Sequence, residues 1–272
     1  MMLKLLPIGI QSFRKLIEGG YLYVDKTRWI YELIRNPSGV YFLARPRRFG
    51  KSLLISTLEE IFRGNRPLFR GLWLDDQPYD WQPFPVIRMD LSLYRAENAE
   101  HLKLVLAEML GELGERAGIA LGPGDHLKRL RELIWRLAGD GRVVILVDEY
   151  DKPLLDHLDD LAEARRVREV LRGFYGVIKG MDAHIRFVML TGVSKFSKVG
   201  VFSGLNNLED ISLDTRFATL LGVTEAELLD HATGYLAQMA DQEQVAFDAL
   251  LAQVRNWYNG FCFAADCQSV YN

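Results

Sequence analysis

The apolar positions of this chain alternate between short continuous runs and helical spacing. Val40-Tyr41-Phe42-Leu43-Ala44, Pro85 to Leu91, Arg142 to Val147 and Ile185 to Leu190 are runs of strand length. Between them lie stripes at three- and four-residue spacing, which put side chains on one helix face. They are Leu54, Leu58, Ile61 and Phe62; Leu102, Val105, Leu106 and Met109; Leu127, Leu130, Ile134 and Leu137; and Val167, Val170, Leu171 and Phe174. Strands that read as unbroken apolar runs are buried on both faces, which happens when crossover helices cover each side. The pattern predicts an α/β fold with a parallel sheet between two helical layers.

Punctuation residues refine this picture. A short helix is expected over Ile10 to Glu18, closed by Gly19-Gly20. Asp25 is placed to cap a helix carrying Trp29, Ile30, Leu33 and Ile34, ending before Asn36-Pro37. Ile211-Ser212-Leu213 reads as a short fifth strand. Beyond it, Thr224 and Glu227 have capping-box spacing, and Phe247, Leu250, Leu251, Val254 and Trp257 form a stripe ending at Gly260. The expected division is a core over 1–219, and over 220–272 a helical lid with the start of a further C-terminal region.

Composition narrows the class. With 49% hydrophobic and 25% charged residues the chain can bury a sizeable core, and a net charge of -3 argues against a generally basic nucleic-acid coat. Cys262 and Cys267 cannot alone supply a zinc site or a disulfide framework, so reduced thiols are expected. Lys4, Pro7 and Gly9 interrupt the apolar start, and no run reaches membrane-spanning length; a cytoplasmic protein without membrane association is expected. Ser269-Val270-Tyr271-Asn272 reads as the start of another element, hence the expectation of a longer protein.

The chemistry concentrates after the expected strands. Arg45-Pro46-Arg47-Arg48-Phe49-Gly50-Lys51-Ser52 joins the first strand to the helix that follows. A phosphate-binding loop needs backbone N–H groups at a helix N-terminus, where the helix dipole also favours anions. Gly50 permits close approach, Lys51 reaches the β- and γ-phosphates, and the Ser52 hydroxyl can ligate Mg²⁺. The candidate nucleotide contacts are Arg47, Arg48, Phe49, Gly50, Lys51, Ser52 and Leu53. The usual G-x-x-x-x-G-K-[ST] spacing asks for glycine at position 45, where this chain has arginine.

About a hundred residues on, Val143-Val144-Ile145-Leu146-Val147 ends in Asp148-Glu149. Ligands of open parallel sheets bind at the strands' carboxyl ends. Asp148 is the candidate second Mg²⁺ ligand, and Glu149 the candidate that polarises attacking water. The Ile185 run ends in Thr191-Gly192-Val193-Ser194, and Thr191 or Ser194 can sit beside a γ-phosphate. Arg45, Arg47, Arg48, Lys195 and Lys198 are candidates to neutralise transition-state charge.

With these stretches, together with Tyr23-Val24-Asp25-Lys26-Thr27, Tyr150-Asp151-Lys152-Pro153, Lys195-Phe196-Ser197 and Gly204-Leu205-Asn206-Asn207-Leu208, the chain resembles the AAA-ATPase-like family over nearly its whole length. The resemblance implies a P-loop NTPase three-layer sandwich with strand order 5-1-4-3-2, ATP as the nucleotide, and the arginine at position 45 as the family's own pattern. Members often carry a C-terminal nuclease-like domain, for which these residues leave no room. The expected activity is Mg²⁺-dependent ATP hydrolysis through Glu149, Lys51 and Thr191, coupled to a conformational change. The alternatives are a nucleotide-gated module with negligible hydrolysis and a scaffold that has lost the nucleotide. Nucleic acid, reached through a further C-terminal domain, and a second copy of the chain are the candidate partners.

Overall fold

The computed structural model describes residues 3–194, 200–202, 205, 207–265 and 268–272. Its main sheet has five parallel strands: β1 (Gly39–Ala44), β2 (Val86–Asp90), β3 (Val143–Asp148), β4 (Ile185–Gly192) and β5 (Glu209–Asp210). Their order is β2-β3-β4-β1-β5, the expected 5-1-4-3-2 arrangement read from the other edge. Every residue of β1, β3 and β4 is buried, in keeping with their apolar runs, and in β4 the burial includes Arg186.

Alternation along those strands divides the core. Phe42, Val143, Ile145, Val147, Val188 and Leu190 face a layer built from α4 (Ala99–Arg116), α5 (His126–Ala138) and α7 (Leu161–Gly180). Tyr41, Leu43, Val144, Leu146, Phe187 and Met189 face the opposite layer, formed by α1 (Phe13–Glu18), α2 (Thr27–Ile34) and α3 (Lys51–Phe62). Successive strand side chains point to opposite faces, so one run of sequence supplies both cores. A short α6 (Lys152–Leu155) follows β3.

Helix starts obey local chemistry. The first helix begins at Phe13 rather than Ile10, because the Ser12 hydroxyl caps it by accepting from the Lys15 N–H. Asp25 does organise the start of α2: its Oδ1 accepts from both the backbone N–H and the hydroxyl of Thr27, and Oδ2 accepts from the Trp73 N–H.

The fifth strand lies two residues earlier than the apolar pattern placed it. Ile211 still donates its N–H to the Phe42 carbonyl, but the Ala44 N–H then donates to the Ser212 hydroxyl. A side chain replaces the main chain in the ladder, and the strand ends.

The chain then forms α8 (Glu225–Glu243) and α9 (Phe247–Tyr258), packed together around Leu236, Ala240 and Leu250. The Thr224–Glu227 capping box is fully made. A second, antiparallel sheet pairs β6 (Val223–Thr224) with β7 (Val270–Tyr271). Cys262 is disulfide-bonded, in place of the expected reduced thiol, while Cys267 lies outside the described residues. Among the described residues, no helix is long and apolar enough to cross a membrane.

Candidate functional site

β1 releases the chain into a turn over 45–50, and α3 begins at Lys51. Two left-handed residues make this turn, Arg48 at φ +68° and Gly50 at φ +84°. Such a backbone costs an L-residue about 1–2 kcal/mol and glycine almost nothing, which accounts for Gly50. Gly50 is the N-cap of α3 and supplies no side-chain oxygen, so the first-turn N–H groups are left for another acceptor.

Arg47, Arg48, Phe49, Gly50, Lys51, Ser52 and Leu53 all line one cleft of about 850 Å³. Its other walls are residues 7–11, 22–24 and 220–223, with Glu149 across from the loop. The volume falls within the range of about 300–1,000 Å³ usual for small-ligand sites.

Lys51 is 4% exposed, with its ammonium donating to the carbonyls of Arg45 and Pro46, each at 3.1 Å. Its remaining partner is Glu149, whose Oε1 lies 3.3 Å away. Glu149 has φ +52°, and this left-handed step swings its side chain out of the strand alternation and toward the loop. Burial holds the Glu149 carboxyl above the usual range; the Lys51 charge opposes that rise, and Asp148 adds to it.

Asp148 and Thr191 lie behind the cleft, both fully buried at the ends of adjacent strands. The Thr191 hydroxyl donates to Asp148 Oδ1 at 2.5 Å, and the Glu149 N–H donates to the same oxygen at 3.1 Å. Asp148 Oδ2 is buried and has no hydrogen-bond partner among the described residues. A buried carboxylate oxygen left unpaired is costly, and a cation would compensate it. Among the described residues, no three or more His, Cys, Asp or Glu side chains form a metal cluster.

The residues after β4 are fastened from below. Asp151 accepts from the N–H groups of Val193 at 3.0 Å and Ser194 at 2.7 Å, and the Tyr150 hydroxyl donates to the Ser194 carbonyl at 2.8 Å. A Cβ on Gly192 would stand 2.5 Å from the Tyr150 ring, so the close approach requires glycine. Tyr150 and Asp151 therefore shape the loop. Lys195, Lys198 and Asn206 lie outside the described residues.

Arg45 does not join the cleft. It is 1% exposed, and its guanidinium donates to the carbonyls of Ala44, Ser212 and Phe217 at 3.0, 2.6 and 3.2 Å. Burial lowers its pKa to about 10, against the pull of Asp210. Its candidacy as a charge-neutralising finger is thus corrected: three carbonyls hold it facing the other way. Arg47 and Arg48 remain exposed at the cleft.

One cleft residue was not singled out from its chemistry. Lys26 is 8% exposed, bonded at 2.7 Å to both carboxylate oxygens of Glu227 and at 3.0 Å to the Thr219 carbonyl. Burial lowers its pKa, while Glu227 acts in the opposite direction. The only sequence signal was a lysine just before an expected helix, a common surface arrangement.

The fold and the loop define a P-loop protein. The family described as "Predicted AAA-ATPase" matches residues 7–202, and the chain belongs to it. Membership implies nucleotide binding. A curated relative, an uncharacterized protein encoded in the vnfD 5′ region of Azotobacter chroococcum mcd 1, is 46% identical over 273 residues, covering 99% of this chain. The chain spans 50% of that relative's length. A KaiC-like protein from Pyrococcus horikoshii OT3 shows a partial likeness, with 19% identity, TM-score 0.32, and coverage of 72% of this chain and 74% of that one.

Proposed function

We propose that this chain binds ATP with Mg²⁺ and hydrolyses it. The observation that carries the reading is the Lys51–Glu149 pair facing across the cleft at the start of α3. Phosphate oxygens take the N–H groups of the loop and of the first helical turn, where the dipole favours them. Lys51 exchanges its contacts with Glu149 and the loop carbonyls for the β- and γ-phosphates. The Ser52 hydroxyl and Asp148 would hold Mg²⁺, with Asp148 oriented by Thr191. When bound, the cation neutralises phosphate charge. Glu149, freed from Lys51, orients the attacking water and accepts its proton.

Residues 220–272 are read as the lid, because 220–223 wall the cleft and Glu227 is bonded to Lys26 on the core side. The test pairs ATP affinity by calorimetry with phosphate release under single-turnover conditions, with and without DNA or RNA. Binding followed by release supports the reading. Binding without turnover under every condition supports a nucleotide-gated module instead, for which the Lys51–Glu149 contact is the favouring observation: it engages the carboxylate that hydrolysis needs. No binding removes both.

A further inference from the structure

The cleft accounts for one side of the phosphate loop. The other side is gripped by the C-terminal segment. Phe49, only 3% exposed, packs edge-on against Phe261 and Phe263, at centroid distances of 4.8 and 5.3 Å. The Arg45 guanidinium lies 3.9 Å from the centre of the Phe263 ring. Arg45, outside the cleft, and Phe49, which lines it, thus share the Phe263 ring, Phe49 also meets Phe261, and neither ring lines the cleft.

That segment also reaches the cleft wall. The Val270 N–H donates to the Phe261 carbonyl at 2.9 Å, and Val270 pairs with Thr224, the N-cap of α8. Tyr271 pairs with Val223 and lines the cleft, while its hydroxyl donates to Glu225 in the first turn of α8. Gly222 permits the crossing: at φ +80°, a Cβ there would stand 2.8 Å from the Val270 side chain. A continuous path therefore runs from Phe49 through Phe261, Val270 and Thr224 into α8. The steps are an aromatic contact, a backbone hydrogen bond, a strand pairing and the Thr224 helix cap, and none passes through the nucleotide space.

We propose that this aromatic clasp is the coupling element of the protein: Arg45 and Phe49 transmit nucleotide occupancy of the loop, through Phe261 and Phe263, to the start of α8. The proposal rests on the reading of the cleft as an ATP site. Phosphate binding draws the loop's N–H groups inward, and packed rings follow the backbone that carries them because close-packed interiors do not stretch continuously. Phe261 and Phe263 are positioning residues that act through the loop. The arginine at position 45 has a role in this scheme that glycine cannot fill, since only a cation with a planar face serves both the carbonyls and the ring.

The experiment uses the whole chain, with and without Mg²⁺ and a non-hydrolysable ATP analogue. Hydrogen exchange is followed over 259–265 and 223–227, beside calorimetric affinity. In wild type both segments should change on binding. In Phe261→Ala/Phe263→Ala, affinity should fall about two- to tenfold, the range set by the loss of an aromatic pair, and the response at 223–227 should disappear. Phe263→Tyr keeps the ring and should restore both. If the double variant does not fold, as judged by its thermal melt, Phe263→Leu is held to the same criteria. Wild type that binds the analogue without any change at 259–265 overturns the coupling alone. So does a variant that responds at 223–227 as wild type does. A wild type that binds no nucleotide overturns the ATP reading and the coupling together.

Discussion

The ammonium of Lys51 lies 3.3 Å from the carboxylate of Glu149, joining the start of α3 to the end of β3. Glu149 keeps a side-chain exposure of 21%, and the buried Lys51 keeps the carbonyls of Arg45 and Pro46, so the pair can open without leaving either group wholly unpartnered. Each is the other's partner in a cleft shaped for an anion, and an arriving phosphate competes for one of them.

Lys51→Ala should therefore lose nucleotide affinity strongly, by about a hundredfold or more, because a charge-assisted contact is removed and the loop carbonyls of Arg45 and Pro46 lose their donor. Calorimetric titration with Mg-ATP checks it. Unchanged affinity would detach the loop from nucleotide binding.

Glu149→Gln should separate binding from chemistry. The amide keeps the size of the side chain and loses the negative charge, so ATP should still bind. Single-turnover phosphate release should slow by about tenfold to several thousandfold, the span of a positioned general base. A rate equal to wild type would exclude Glu149 as the catalytic carboxylate.

Thr191→Val should act through Asp148. The substitution removes the hydroxyl that donates to Asp148 Oδ1 and leaves a buried carboxylate with one N–H partner. Folding stability should drop by about 1–3 kcal/mol. More diagnostically, the Mg²⁺ concentration giving half-maximal turnover at fixed ATP should rise. A melt shifted without any change in Mg²⁺ demand would confine Thr191 to a structural role.

Arg45→Gly restores the usual loop pattern and should nonetheless harm the protein. The carbonyls of Ser212 and Phe217 lose their donors, and a buried cavity opens beside Phe263. We expect a loss of about 2–4 kcal/mol in chemical denaturation and no gain in ATP affinity. Tighter binding in the variant would mean that the arginine obstructs the loop.

That result would also explain what the sequence could and could not convey. Strand runs were legible because double burial keeps β1, β3 and β4 apolar up to their carboxyl ends, Arg186 apart, and their alternation shows which residues face which helical layer. The loop was legible from Gly50, Lys51 and Ser52. The tolerance of arginine at position 45 was not, because it depends on backbone angle: the left-handed steps fall at Arg48 and Gly50, not at residue 45. The end of β5 was misplaced for a related reason, since a serine hydroxyl replacing a main-chain acceptor leaves no periodic trace. Lys26 was missed because its partner, Glu227, is remote in sequence and belongs to another helix.

The Lys26–Glu227 pair bears on how α8 can move. At its C-terminal end, α2 is pinned by Arg186 on β4, whose guanidinium donates to the carbonyls of Ile34 and Asn36. At its other end Lys26 holds Glu227, close to the start of α8. The 8-residue α2 is thus a strut of about 12 Å, fixed to the sheet at one end and to α8 at the other. A lever held at its root amplifies: the 19-residue α8 is about 28 Å long, and a rotation of about 10° at the anchored end carries its far end about 5 Å. Small adjustments beside the cleft would thus be read out most strongly at Gln244 and the start of α9, since the other end of α9 returns to the root of α8 through Arg255 and Glu225.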